Sequence, residues 1–229
     1  MPGILYAIPT PLGGAASGAL PVSALQTVRT LRHFVVENAR SARAFLKEAG
    51  VQCAIQELDI SVLESDISNH LKKLQKNISI GLLSEAGCPA IADPGAALVA
   101  AAQAAGIRVV PLVGPSSIVL ALMASGLEGQ RFAFCGYLPR EPGARGKRLR
   151  ELEARSRRER ETQIFIETPY RNDVMLRALL ETCSPGTLLC VASDLTLPSE
   201  QISTRTISAW RSARHGIGRR PTVFLLLSG

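Results

Sequence analysis

Apolar and polar residues follow one another along this chain in blocks that predict strands and helices in alternation. Short apolar runs typical of buried strands lie at residues 3–8, 34–37, 54–58 and 107–112, and a further run begins at residue 78. Between these runs, apolar residues recur at helical spacing, as at Val22, Leu25, Val28 and Leu31, and again over residues 64–76. This alternation predicts an α/β fold for the first half of the chain.

The second half continues the alternation with different loops. Strands are predicted at 131–135, 163–167, 187–192, 201–207 and 222–227, and helices over the basic segment that follows Pro139 and over about 172–182. A boundary near Gly114 then divides the chain into an N-terminal α/β domain, residues 1–113, and a C-terminal α/β domain, residues 114–229. A cleft is expected between the two.

A stretch rich in glycine and proline, Ile78 to Gly95, joins a predicted strand to an Ala-rich helix that ends at Ala105. Asp93 is a good N-cap for this helix, Pro94 suits its first position, and Gly106 suits the residue after its end. The stretch is therefore predicted to form a strand, a loop and the start of a helix.

The chain repeats this plan directly. Residues 107–112 predict a strand, Val113 to Ser117 a loop, and residues 118–124 the start of another helix. Two loops are thus expected at the same ends of two neighbouring strands, where open α/β sheets bind ligands. The alternative is that the glycines and prolines of both loops only turn the chain.

The composition is that of a globular protein, with 46% hydrophobic and 20% charged residues in 229. No apolar run reaches the roughly 18–20 residues of a membrane helix. The N-terminus lacks the basic region and apolar stretch of a signal peptide, so no membrane partner and a cytoplasmic location are expected. The five cysteines form no Cys-x-x-Cys pair and there are three histidines, so no metal site is expected.

The formal charge of +7 is concentrated in the second half of the chain. Residues 140–161 carry nine Lys or Arg against five acids, and residues 201–229 carry five Arg and no acid. Guanidinium groups match the edges of phosphates, which favours a nucleic-acid partner. The alternative is a solvated helix face with ion pairs, such as Arg150 with Glu153.

Five motifs carry a resemblance to a known family. In chain order they are Pro9-Thr-Pro-Leu-Gly-Gly14, Ser84-Glu-Ala-Gly-Cys-Pro-Ala-Ile-Ala-Asp-Pro-Gly95, Gly106-Ile-Arg-Val-Val-Pro-Leu-Val-Gly-Pro-Ser-Ser117, Cys135-Gly-Tyr-Leu-Pro139 and Glu167-Thr-Pro-Tyr-Arg171. Together they resemble the tetrapyrrole methylase superfamily of S-adenosylmethionine-dependent methyltransferases. The nearest branch is the ribosomal RNA small-subunit cytidine-2′-O-methyltransferase. The resemblance extends over nearly the whole chain, from about Gly3 to Leu227.

The resemblance implies a two-lobed α/β methyltransferase that is a homodimer. It also implies that S-adenosylmethionine binds in the cleft between the lobes and leaves as S-adenosylhomocysteine. The positions that match the family's cofactor contacts are Pro11, Gly87, Cys88, Pro89, Ile91, Ser116, Ser117, Ile166, Ala192, Pro221 and Thr222. The chain has no Gly-x-Gly-x-x-Gly loop, which argues against an NAD site and against the commoner methyltransferase fold.

Methylation of a ribose hydroxyl requires a base that removes its proton. Four acids lie at or near predicted strand ends, namely Glu37, Glu85, Asp93 and Glu167. Glu37 is predicted to be the base, with Glu85 as the second choice. The residues predicted to hold phosphate are Arg40, Arg43 and Arg171. The simpler alternatives are that Asp93 only caps its helix and that Glu167 only pairs with Arg171.

The chain departs from the ribosomal RNA branch at several of these positions. Glu37-Asn-Ala-Arg-Ser41 stands where that branch reads Glu-Asp-Thr-Arg-His, and Ser193-Asp-Leu-Thr196 where it reads Arg-Glu-Leu-Thr. The central loop has Glu85 and Cys88 where Asp and Thr are usual. Three functions therefore stay open: a ribosomal RNA ribose methyltransferase, a methylase of a small molecule such as a tetrapyrrole, and a non-catalytic relative that binds S-adenosylmethionine or RNA.

Overall fold

The computed structural model describes residues 2–63, 67–213 and 216–229, in two units, Met1–Ser116 and Ser117–Gly229. The strands are β1 (Leu5–Ile8), β2 (His33–Val36), β3 (Asp59–Val62), β4 (Ile80–Leu83), β5 (Val109–Pro111), β6 (Phe132–Tyr137), β7 (Thr162–Glu167), β8 (Leu188–Ser193), β9 (Gln201–Thr206) and β10 (Thr222–Leu227). The helices are α1 (Ala16–Ala19), α2 (Val22–Thr30), α3 (Ala39–Ala49), α4 (Ser68–Gln75), α5 (Ala96–Ala104), α6 (Ser117–Ser125), α7 (Pro142–Glu159), α8 (Asn172–Thr182) and α9 (Ile207–Ser212). The predicted two-lobed α/β fold is confirmed, and the units divide three residues after the expected boundary.

The first unit contains a parallel sheet with the strand order β3-β2-β4-β1-β5. Its strands carry apolar side chains on both faces. Phe34 and Val36 belong to the core beneath α2 and α3, while Val35, between them in β2, belongs to the core beneath α4 and α5. Side chains of successive residues point to opposite faces, so the apolar runs of the sequence fill two cores at once.

The strand β1 lies between β4 and β5. The prediction that the loops after β4 and β5 leave neighbouring strands is therefore wrong, because pairing between distant segments places the first strand between them. Since all five strands are parallel, the loops after β1, β4 and β5 leave the sheet side by side at its carboxyl edge.

Two other local predictions are corrected by the structure. Residues 54–58 do not form a strand: Ile55–Glu57 is a short 3-10 helix, and the third strand follows it at Asp59–Val62. Ile55 and Leu58 of this segment pack against the core beneath α2 and α3. Part of the helix predicted at 64–76 lies outside the described residues, and its described part begins at Ser68.

Helix α5 begins later than the sequence predicted. Its N-cap is Gly95, with φ 127° and no side-chain cap, so the assignments of Asp93 as N-cap and Pro94 as first residue are wrong. Its C-terminal end agrees with the prediction. Gly106 has φ +67°, and its N–H donates to the Gln103 carbonyl at 3.0 Å, as is common where a helix ends at a glycine.

The second unit contains a mixed sheet with the order β6-β7-β10-β8-β9. Only β6 and β7 are parallel; β10 and β9 pair with their neighbours antiparallel. Helices α7, α8 and α9 cover one face, where the Phe165 and Phe224 rings stack at 5.7 Å, and α6 packs on β8, β9 and β10. Within residues 2–63, 67–213 and 216–229, no helix is both long and apolar enough to span a membrane.

Candidate functional site

The loops after β1 and β4 are joined by backbone hydrogen bonds. Thr10 and Gly87 each donate to the carbonyl of the other, at N–O distances of 2.9 and 3.0 Å. Thr10 Oγ1 donates to the Ser84 carbonyl at 3.3 Å, and Ser84 Oγ donates to the Gly87 carbonyl at 2.9 Å. Gly87 has φ +80°, which glycine adopts without steric cost. These bonds fix the two loops in one arrangement.

The loop after β5 is held against the same pair. Cys88 Sγ donates to the Pro115 carbonyl at 3.4 Å. Burial, and then the charge of Asp93, raise the pKa of the Cys88 thiol, which favours the neutral donor. At Gly114 a Cβ would lie 2.4 Å from Cβ of Pro9, so only glycine allows this approach. Three loops thus form one compact edge.

The structure brings six of the predicted cofactor residues to this edge in the first unit. They are Pro11, Gly87, Cys88, Pro89, Ile91 and Ser116. Within the same loop, Ala90 and Ala92 have φ of 66° and 65°, in the left-handed region that residues with a Cβ rarely adopt. A loop that only turned the chain would not need two such residues, so this geometry favours a binding role.

Three carboxylates lie together beside this edge. Glu37 follows β2, and its Oε2 accepts the Glu85 N–H at 3.3 Å. Ser41 Oγ donates to Glu85 Oε1 at 3.1 Å. Burial, and then the charges of Glu37 and Glu85, raise the pKa of Asp93 to about 6. Among the described residues, none of the three acids has an ion-pair partner.

Asn38 and Ser41, which depart from the ribosomal RNA branch, have local structural roles. Asn38 caps α3, because its Oδ1 accepts the N–H groups of Arg40 at 2.9 Å and Ser41 at 3.4 Å. Neither role was predicted from the sequence, although Asn directly before a helix is a common cap. Arg40 and Arg43 are exposed in the first turns of α3 and form no ion pair with another described residue.

Arg171 and Glu167 belong to the second unit. Arg171 Nη2 lies 2.9 Å from Glu167 Oε2, whose side chain is 1% exposed. Glu167 Oε1 also accepts the Thr168 N–H at 2.8 Å. The simpler reading of Glu167 as the partner of Arg171 is confirmed, and a phosphate role for Arg171 stays a prediction.

Asp194, directly after β8, is also paired with an arginine. Arg220 Nε donates to Asp194 Oδ2 at 2.7 Å, and Ser199 Oγ donates to that oxygen at 2.9 Å. Burial alone would raise the pKa of Asp194, but the hydrogen bonds from Arg220 and Ser199 lower it overall. Asp194 is therefore a paired structural acid.

The predicted cofactor residues of the second unit divide between two faces of its sheet. Ile166 and Ala192 flank Val223 in one cross-strand row, on the face opposite the stacked phenylalanines. The Thr222 side chain points the other way, with its Oγ1 2.9 Å from Ser193 Oγ. Strict alternation within the last strand places Val223 between Ile166 and Ala192.

The two remaining predicted cofactor residues also belong to the second unit. Pro221 is exposed directly before β10, and Ser117 is the first residue of α6. Among the described residues there is no group of three or more His, Cys, Asp or Glu side chains placed to hold a metal ion.

Comparison with known proteins gives consistent matches. The sequence model described as Tetrapyrrole (Corrin/Porphyrin) Methylases matches residues 5–209. The chain is 35% identical to the "Ribosomal RNA small subunit methyltransferase I" of Xylella fastidiosa strain Temecula1, over 90% of this chain and 74% of the relative. It is 34% identical to the protein of the same name from Vibrio cholerae, over 87% and 67%. The solved structure of the methyltransferase CobJ has a similar fold, with a TM-score of 0.65, 19% identity and coverage of 100% and 95%.

Proposed function

This chain belongs to the tetrapyrrole methylase family of S-adenosylmethionine-dependent methyltransferases, and from that premise we propose that it methylates a ribose 2′-hydroxyl in small-subunit ribosomal RNA. One observation carries the proposal: three carboxylates without cationic partners among the described residues lie beside the loop edge, and α3, which begins two residues after Glu37, exposes Arg40 and Arg43. A base next to phosphate-binding arginines suits a ribose within an RNA backbone. The names of the two relatives point to the same substrate.

S-adenosylmethionine supplies, when bound, a methyl group on a positively charged sulfur, so that the protein mainly has to align it with the ribose oxygen. We assign its binding in the first unit to Pro11, Gly87, Cys88, Pro89, Ile91 and Ser116, and in the second unit to Ser117, Ile166, Ala192, Pro221 and Thr222. The residues fit the group. Gly87 and Gly114 bring bare backbone to the loop edge, which suits a flat adenine, and the first amides of α6 suit a carboxylate.

Glu37 is assigned as the general base. Its position directly after β2 is fixed by the cap at Asn38, and its carboxylate is anchored by the Glu85 N–H. It would accept the 2′-hydroxyl proton while Arg40 and Arg43 hold the neighbouring phosphates. Glu85 is the second choice, and its hydrogen bond with Ser41 gives it a positioning role next to Glu37. Asp93, with its pKa near 6, keeps part of the cluster protonated at mildly acidic pH.

The proposal includes a homodimer in the cytoplasm. The family resemblance supports the dimer, and action on small ribosomal subunits supports the location, because that is where the subunits are. Light scattering of the purified protein at several concentrations would test the dimer: a mass near one chain of 24.4 kDa at all concentrations would contradict it.

The experiment that tests the function is transfer of labelled methyl from S-adenosylmethionine to small ribosomal subunits and, separately, to deproteinised cellular RNA. Both substrates should come from cells that lack the modification. Label at a ribose 2′-oxygen supports the proposal. Absence of label from both RNAs, with cofactor binding confirmed by calorimetry, would contradict it and direct the search to small molecules such as tetrapyrroles or to a non-catalytic role.

A further inference from the structure

Helix α7 of the second unit buries one side and exposes an opposite side rich in cations. Leu149, Leu152 and Ser156 are buried against the unit's core. Lys147, Arg150, Ala154 and Arg157 are all exposed and follow one another at i, i+3, i+7 and i+10, which is the spacing of a single helix face. We define the three cations Lys147, Arg150 and Arg157 as the α7 basic face.

Within the described part of the chain, no acid pairs with the cations of the α7 basic face. The acids nearest to them on the helix have other partners: Glu151 accepts from Arg148, and Glu153 accepts from the Ser184 N–H and the Thr187 hydroxyl. Lys147 and Arg150 have no side-chain hydrogen bond or ion pair with any described residue, and Arg157 donates only to a neutral hydroxyl, Ser228 Oγ, at 3.1 Å.

The other cations of α7 differ in this respect. Arg148 pairs with Glu151 at 3.3 Å and Arg158 with Glu159 at 2.7 Å. Arg155 pairs with Glu161 at 3.0 Å. The acids of the segment therefore neutralise one flank and leave the α7 basic face with its charge.

The helix dipole accounts for only one of these cations. Arg157 lies in the last turn, where a cation interacts favourably with the helix dipole. Lys147 and Arg150 lie in the second and third turns, where the dipole gives no such benefit.

We propose that the α7 basic face binds the phosphate backbone of the RNA substrate outside the methylated nucleotide. This inference rests on the proposed function, because it takes ribosomal RNA as the substrate. From Lys147 to Arg157 the helix rises about 15 Å, which is long enough to follow several phosphates of a strand. The face contributes affinity and orientation, and carries no sequence information by itself.

An anionic membrane would be the other polyanionic partner, but the chemistry of the face does not fit it. A helix that lies on a membrane inserts an apolar side among the lipids. The apolar side of α7 is buried in the core, and no large apolar residue of α7 is exposed. The exposed cations of α7 therefore match the phosphates of an RNA strand.

The test compares two double variants with equal charge changes. Lys147→Gln/Arg150→Gln removes two cations of the α7 basic face, and Lys72→Gln/Lys76→Gln removes two exposed lysines at the end of α4 in the first unit. Binding of fluorescent deproteinised small-subunit RNA is measured by anisotropy from low to high salt. The KM and kcat of methyl transfer to the same RNA are measured beside it.

We expect the α7 variant to raise the Kd for RNA about 10-fold or more at 0.1 M salt, with a shallower salt dependence by roughly 1.4 in the log–log slope. The KM for RNA should rise in parallel, with kcat unchanged. The α4 variant should bind like the wild type. Equal effects in both variants, or no effect in the α7 variant, would overturn the inference.

The outcomes also separate this inference from the proposed function. If wild-type protein transfers methyl to RNA but the α7 variant keeps its KM, the surface is wrong and the function stands. If no RNA is methylated but the α7 variant alone loses RNA binding, the surface stands and the function falls. Phosphatidylglycerol vesicles are a third probe: loss of vesicle binding with unchanged RNA binding would overturn the RNA assignment.

Discussion

The acids at or near strand ends have different neighbours in the two sheets of this protein. In the second unit, Glu167 is paired with Arg171, and Asp194 with Arg220, so each carboxylate meets a guanidinium. In the first unit, the acids crowd beside one another, and the pKa of Asp93 rises to about 6. Acids at or near strand ends are therefore paired with guanidinium groups in the second unit and crowded with other acids in the first.

In the first unit, burial and then the charges of Glu37 and Glu85 disfavour the ionised form of Asp93. A carboxylate that faces other carboxylates is disfavoured in its ionised form, while one that faces a guanidinium is favoured. The first unit retains an arrangement that does not help it to fold, which is characteristic of functional sites. The proposed general base lies in the first unit, and each prediction below tests one side of the contrast between the two units.

The largest expected effect belongs to the proposed base. Glu37→Gln keeps the shape of the side chain and its acceptor oxygen but cannot take a proton. We expect kcat for RNA methylation to fall by about 10²–10⁴-fold while the Kd for S-adenosylmethionine changes less than about twofold. Glu57→Gln, at an exposed acid near Arg32, is the matched control and should leave kcat unchanged. Wild-type turnover by Glu37→Gln would sink the assignment.

In the second unit, Arg171→Ala should lower the free energy of unfolding. It leaves Glu167 buried without its cation, which costs about 3 kcal/mol. The single tryptophan, Trp210, belongs to this unit's core, so its fluorescence during urea unfolding reports the second unit. Arg177→Ala, at an exposed α8 residue, should shift the midpoint little. Equal midpoints for the two variants would show that the ion pair is not a source of stability.

The tight contact between loops in the first unit can be broken by one methyl group. Gly114→Ala places a Cβ 2.4 Å from Pro9 Cβ, so the loops after β1 and β5 must separate. We expect a loss of about 2 kcal/mol in stability and at least about tenfold weaker S-adenosylmethionine binding. Gly18→Ala has no atom within 4 Å of the new carbon and serves as the control. Calorimetry that finds equal affinity in both variants would contradict a role of this edge in cofactor binding.

The smallest effect is a pH dependence whose sign differs between the units. Because the pKa of Asp93 is raised, its contribution to stability is complete below pH 3.8 and is lost as pH rises through about 6. Asp93→Asn should therefore stabilise the first unit at pH 8 by about 1 kcal/mol, allowing for solvent screening, and have no effect near pH 3.5.

The pKa of Asp194 is lowered, so its effect on stability depends on pH with the opposite sign. Its contribution is present above pH 3.8 and is lost on acidification, so Asp194→Asn should destabilise the second unit at pH 8. Urea unfolding at the two pH values, followed by circular dichroism and by Trp210 fluorescence, measures both. If both substitutions shift stability in the same direction at pH 8, the contrast between the sheets fails.

Much of the fold could be predicted from the sequence because local pattern determines element type. The bounds predicted for α8 and β10, 172–182 and 222–227, are those of the structure. Five motifs also identified the family correctly. The place of β1 between β4 and β5 could not be predicted, since strand order depends on pairing between residues that are far apart in the chain.

The positions of the candidate acids could be predicted from the sequence, but most of their pairing partners could not. Glu37, Glu85 and Glu167 were located because each comes directly after a strand or close to its end. Arg171 lies four residues after Glu167, so that pair was visible as an alternative. Asp194 and Arg220 are 26 residues apart and meet only through the fold. Ala90 and Ala92 of the central loop have left-handed backbone conformations, which the residue type alanine does not predict.

The place of β1 between β4 and β5 also determines when the first unit can fold. Leu5 pairs with Ile80 on one side and with Val109 on the other, so the first strand to be synthesised waits for partners about 75 and about 104 residues later. At about 5–20 residues per second on the ribosome, that interval is roughly 4–20 s. Until residue 80 is made, both edges of this apolar strand lack a partner, and until residue 109 is made, one edge still does. Chaperone dependence during synthesis is the expected biological consequence of placing the first-synthesised strand between two later ones.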